Sequence, residues 1–122
     1  IPKSPDDLRH HQLVLASPNE PETEWRFGRR GEHALRIHPR LVLGSMAAGI
    51  EVARQGWGLC RVLSYQIGPD LDTGTLRTVL EAYEPEPLPV HLVHIEGRRA
   101  AAKVRSFIDF AADRLRALPA LN

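Results

Sequence analysis

Residues 41–63 read LVLGSMAAGIEVARQGWGLCRVL, and the order of signals within them decides the fold class. Leu41-Val42-Leu43 is a short apolar run that Gly44-Ser45 ends. Ser45 is a good N-cap, so a helix is predicted from Met46 to Gln55. Gly56 falls at the C′ position, where a left-handed backbone meets no Cβ clash. Met46, Ile50 and Ala53 share one face of that helix. Gly58 to Leu63 is then a second apolar run of strand length. Strand, helix and strand in succession indicate an α/β fold with parallel connections.

Upstream, Leu35, Ile37, Leu41 and Leu43 share one parity, while Arg36, His38 and Arg40 take the other. This is the period of a half-buried strand. Pro39 cannot donate to a ladder, so an edge position or a bulge is expected there. Trp25-Arg26-Phe27 is predicted to pair with 34–43 as a hairpin through the Gly28-Arg29-Arg30-Gly31 turn. His11 to Ala16 is a further strand-length apolar run, and Ser17 to Glu24 is predicted as loop. Ser4-Pro5-Asp6-Asp7 starts a short helix ending near His10 or His11, with a cap, a proline at the first helical position and two acids at the positive end of the dipole.

Downstream, Ser64 to Gly74 reads as irregular, Thr75 to Leu80 as extended, and Glu84-Pro85-Glu86-Pro87-Leu88-Pro89 as a stiff connector. Val90 to Ile95 is predicted as a strand that is apolar on both faces, as an interior strand would be. Val104, Phe107, Ile108, Ala111, Leu115 and Leu118 step by three and four along one face of a helix over 100–118.

The 122 residues predict one domain or a piece of one. Sixteen Lys+Arg against fifteen Asp+Glu leave a formal charge of +1, which argues against a nucleic-acid surface over the whole chain. One cysteine, Cys60, excludes an internal disulfide framework. No apolar run approaches the ~20 residues of a membrane span, and no signal peptide is visible, so a cytoplasmic chain is expected. Ile1 rather than Met at the start points to a longer protein.

The candidate chemistry is sparse. His91 and His94, three apart in a predicted strand, point to opposite faces and cannot chelate together. His10-His11 and His33 with His38 also lack metal-ligand spacing. Gly44-Ser45 is not a nucleophile elbow, because Leu43 and Ala47 stand where that motif needs glycines. It is either a helix cap alone or a cap that also contacts an anion through free helix N–H groups. Gly56-Trp57-Gly58 lacks a third glycine and follows a helix, so it is a C-cap and turn rather than a dinucleotide fingerprint. Cys60 reads as a small hydrophobe, Arg29-Arg30 and Arg98-Arg99 as solvated turns, and Asp109 with Asp113 as a solvated helix face. No nucleophile, base and oxyanion donor assemble, so no catalytic residue, metal or cofactor is expected.

Six segments in order resemble the C-terminal part of the effector-binding domain of LysR-type transcriptional regulators. They are Pro5-Asp6-Asp7-Leu8 with His11 and the strand after it; Trp25-Arg26-Phe27; the strand ending at Gly44-Ser45; Ala53 to Leu59 (ARQGWGL); Leu71 to Leu76 (LDTGTL); and Lys103 to Phe110 (KVRSFIDF). The resemblance covers nearly the whole chain. It implies a type 2 periplasmic-binding-protein-like fold present as a partial domain, a mixed sheet flanked by helices. Residues 1–65 would form most of subdomain two. Residues 66–122 would be the crossover, return strand and last helix of subdomain one. An intact regulator would add a winged helix-turn-helix, a linker helix and the first half of subdomain one.

The chain departs from the family where Gly44-Ser45 replaces a common polar pair and Leu63-Ser64 replaces a common proline. Both positions border the family's effector cleft. The expected effector contacts are Gly44, Ser45 and Met46 at a helix N-terminus, with Leu63 and Ser64 at the end of the neighbouring strand, and the expected ligand is a small anion. The implied protein is a bacterial regulator that contacts DNA only through a domain outside these residues. A fragment of a solute-binding protein of the same fold is the alternative, and a small α/β enzyme a more distant one. Because 90–95 and the last helix lack their usual partner strands, they are expected to dock on the N-terminal half or on a second copy, giving a homo-oligomer.

Overall fold

The computed structural model describes residues 1–16, 23–95, 97 and 101–121. It comprises two compact units, Ile1–Glu86 and Pro87–Asn122.

The first unit is built around β1, Leu13–Ala16. All four of its residues are buried, so both faces of the strand are covered. β1 lies between β4 (Leu41–Leu43) and β5 (Leu59–Cys60), and both pairings are parallel. β2 (Glu24–Phe27) and β3 (His33–Arg36) form a separate antiparallel hairpin in which Trp25 opposes Leu35. Leu13 and Leu15 join Trp25, Leu35, Ile37 and Leu8 in one buried cluster, with Phe27, Leu59 and Leu80 against it. Leu8 comes from a 3₁₀ turn over Pro5–His10. The Asp7 carboxylate accepts the Lys3 and Ser4 N–H groups at the start of that turn, at 2.7 and 3.0 Å.

α1, Met46–Arg54, links β4 to β5 across β1. It comes so close that a Cβ on Gly49 would lie 2.4 Å from the Ala16 Cβ. Only glycine fits at that approach. The helix ends as its sequence predicts. Gly56 takes φ +73°, its N–H donates to Ala53 O at 2.9 Å, and the Trp57 N–H donates to Val52 O at 3.3 Å. These two bonds form a Schellman motif.

The continuous strand expected over 34–43 is instead two strands in two sheets. Pro39, with no N–H, stands at the handover. Before it, the Ile37 N–H donates to Thr23 O beside the hairpin; after it, the Arg40 N–H donates to Leu13 O of the parallel sheet. The expected 58–63 strand shrinks to Leu59–Cys60. The stretch expected to be irregular holds a 3₁₀ turn, Ser64–Gln66, and α2, Gly68–Asp72, with Pro69 in its first turn. Pro69 therefore helps start a helix inside the stretch read as irregular. Residues 75–80 form no strand, and Leu80 adopts φ +63° before a 3₁₀ turn at Glu81–Tyr83. The loop expected at 17–24 lies outside the described residues up to 22, and Glu24 opens β2. The Arg98-Arg99 turn also lies outside them.

The second unit contains α3, Ala102–Arg116, where the apolar stripe predicts a helix. Val90–Ile95 forms no strand. A strand's N–H and C=O groups need a partner strand, and none is present in this unit among the described residues. No described side chain of the unit is buried; Phe107 is 67% and Phe110 61% exposed.

Candidate functional site

β4, β1 and β5 all run in one direction, so their carboxyl ends share one edge of the sheet. Gly44 and Ser45 leave that edge from β4; β5 ends at Cys60, and Leu63 and Ser64 come three and four residues later. β1 stands between them, so β5 is not the immediate neighbour of β4. Gly44, Ser45, Leu63 and Ser64 are exposed and Met46 is half-buried. Ser45 caps α1: its hydroxyl accepts the Ala48 N–H at 3.5 Å and its carbonyl the Gly49 N–H at 3.1 Å. The first-turn amides of Met46 and Ala47 have no acceptor within the helix. Nothing lies within 4 Å of the position a Cβ would take on Gly44, so the backbone at this corner is open to approach. Ser64 turns the chain into the following 3₁₀ turn, its carbonyl accepting the Ile67 N–H at 3.2 Å.

A side chain that the sequence pattern did not single out lies against the hairpin. Arg61 directly follows β5, and its guanidinium lies 5.9 Å from the Phe27 ring centroid. With Thr23, Glu24 and Arg26 it lines a hollow of about 450 Å³. Glu24 and Arg26 pair at 2.8 Å, so Arg61 is the cation of that group without a carboxylate among the described residues. Its signal in the sequence was its place, one residue past a strand end. The apolar alternation of GLCRVL concealed it by extending the predicted strand to Leu63.

The opposite end of α1 is held by charge. Arg54 Nε and Nη2 donate to the two Asp70 oxygens at 2.8 Å each, and Nη1 donates to Glu51 at 3.1 Å. This fork holds the Asp70 carboxyl below its usual range and raises the guanidinium further. The Gln55 amide and Arg54 lower Glu51 likewise. The cluster fastens α1 to α2 and contains no group free for chemistry. Half-buried Cys60 lies where α1 passes closest to the sheet, and burial pushes its thiol up, away from the nucleophilic thiolate. Among the described residues no group of three or more His, Cys, Asp or Glu is arranged to hold a metal, and no helix is long and apolar enough to cross a membrane.

Residues 1–116 match the LysR substrate binding domain family. A Haemophilus influenzae protein described as an uncharacterized HTH-type transcriptional regulator is 28% identical over 105 residues, which is 85% of this chain and 36% of that protein. The chain thus spans about a third of that relative's length. Among solved structures, the regulatory domain of AphB in Vibrio vulnificus superposes over 93% of this chain and 57% of its own, with a TM-score of 0.70 and 19% identity. A full-length AphB variant covers 67% of this chain and 28% of its own, with a TM-score of 0.57 and 18% identity. At these identities the two structures speak for the fold.

Proposed function

The chain belongs to the LysR substrate binding domain family, and on that premise we propose that it is the effector-sensing part of a bacterial DNA-binding regulator. Residues 1–65 supply most of subdomain two; residues 66–122 supply the crossover, return segment and last helix of subdomain one. A small anionic metabolite binds at the edge formed by Gly44, Ser45, Met46, Leu63 and Ser64. The observation that carries this reading is the parallel β4-β1-β5 order. It gathers three strand ends and the N-terminus of α1 on one edge, the edge where open α/β sheets take ligands.

The protein has no catalytic role of its own. Its effector biases two conformations, and a DNA-binding domain outside these residues reads out the difference. It acts in the cytoplasm as a homo-oligomer. Nothing in the comparisons favours a solute-binding protein.

The test uses the intact regulator and a panel of small carboxylates in thermal melts. A true effector at about a hundred times its Kd adds about 2.7 kcal/mol of stability. Ser45→Ala and Ser64→Ala are expected to remove most of that ligand-induced gain, whereas Arg105→Ala on α3 leaves it intact. A hit whose gain survives both serine changes would overturn the assignment.

A further inference from the structure

Leu80 is the one non-glycine residue with a left-handed backbone among the described residues, at φ +63°. A bulky residue rarely adopts that conformation. Such strain persists only where neighbours hold it, and it gathers in segments that switch. Two sets of contacts hold Leu80. Its side chain is half-buried against the cluster that contains Leu15, Trp25 and Leu35. Its carbonyl accepts the Tyr83 N–H at 2.8 Å, closing the 3₁₀ turn over Glu81–Tyr83.

That turn is fastened to the tip of the β2–β3 hairpin. The Gly28 N–H donates to Tyr83 O at 2.7 Å, and the Glu86 N–H donates to Arg29 O at 3.1 Å. The Arg29 guanidinium also stands 3.8 Å from the Glu86 carboxylate, but both groups are mostly in water and the pair adds little. Residues 81–86 are all exposed. Partial burial of one leucine therefore favours this arrangement, the left-handed backbone opposes it, and the two effects are of similar size.

We propose that residues 80–86 form a clasp with two states: closed on the hairpin turn, as in this structure, and open while the rest of the first unit stays folded. Closed, the clasp pins Glu86, the last residue of the first unit, to the hairpin. Open, Leu80 relaxes to an ordinary backbone, and residues 80–86 join 87–89 as free tether. They add up to about 23 Å of reach at ~3.3 Å per residue. The clasp thus sets how far the chain beyond Glu86 can travel from the first unit. It does so wherever the effector binds.

Amide hydrogen exchange on the full chain, followed by NMR at several low urea concentrations, tests this. In the unaltered chain the Gly28 and Glu86 amides are expected to show matching protection, at least about a hundredfold below that of Val14 and Leu15 in β1. Urea should barely change their opening, because little surface is exposed by it. Leu80→Ala and Leu80→Gly lose the same packing to within one methyl, but only glycine takes the left-handed backbone freely. Gly28 and Glu86 should therefore be about fivefold better protected in Leu80→Gly than in Leu80→Ala. Unequal protection of the two amides, a urea dependence equal to that of β1, or equal protection in the two Leu80 variants would each overturn the proposal.

Discussion

Leu13–Ala16 and Val90–Ile95 are both short apolar runs, and only the first is a strand. The difference lies in their surroundings. Leu13–Ala16 has β4 on one side, β5 on the other, the hairpin cluster against one face and α1 against the other. Val90–Ile95 lies in a unit with no other strand among the described residues, and Val93 and Ile95 are 89% and 103% exposed. α3 lies in that same unit and still forms over fifteen residues. A helix satisfies its backbone groups within its own segment, while a strand must borrow them. Local sequence therefore suffices to form the helix, and only neighbours can make the strand. The second unit holds a helix with an amphipathic stripe and little to bury it against.

The largest expected effect separates the two units directly. Leu35, 1% exposed in the first, should cost about 2–5 kcal/mol when changed to Ala. Phe107→Ala, at an exposed site in the second, should stay within about 0.5 kcal/mol. Urea unfolding of both variants checks this. Equal losses would break the contrast and mean that the α3 face is covered in solution.

A smaller effect sharpens the picture of how tightly the first unit is built. Gly49→Ala places a methyl 2.4 Å from the Ala16 Cβ and should cost about 1–3 kcal/mol through overpacking. Adding Ala16→Gly should recover part of the loss in a double-mutant cycle. No recovery would mean that the close approach of α1 to β1 is not what demands glycine.

The smallest effect is electrostatic. Four carboxyl groups of the first unit are held below their ordinary values: Asp7 by the Lys3 and Ser4 N–H groups, Glu32 by its own and the Arg30 N–H, Glu51 by Gln55 and Arg54, and Asp70 by Arg54. A depressed carboxyl stabilises the fold fully above its unfolded value, near 3.8 for Asp70, and loses that contribution as the pH falls through the folded value. Thermal melts should therefore drop as the pH goes below about 4. Asp70→Asn should lower the Tm near neutral pH and flatten that acid slope. An unchanged slope in the variant would show that Arg54 and Asp70 do not couple to folding.

Much of this was legible in advance because its causes are local. Ser45 and Gly56 bracket α1 through a hydroxyl cap and a left-handed residue, and both signals read correctly to within one residue. The α3 stripe predicted its helix. Of the residues expected at the ligand edge, Gly44 and Ser45 directly follow β4, whereas Leu63 and Ser64 come three and four residues after β5 ends. The identity of their neighbours was not legible: β1 separates β4 from β5.

By itself, then, the chain's residue order determined the α/β class, the caps, both long helices and the family resemblance, since each rests on contacts or spacings within a few residues. Tertiary structure alone decided three further things. Pro39 hands the chain from a hairpin to a separate parallel sheet, because a partner for Ile37 lies at Thr23 and one for Arg40 at Leu13. Asp70 is buried in company with a cation, because Arg54, sixteen residues earlier at the end of α1, reaches its carboxylate. Residues 90–95 stay without a ladder, because pairing is a property of two segments and apolar alternation is a property of one.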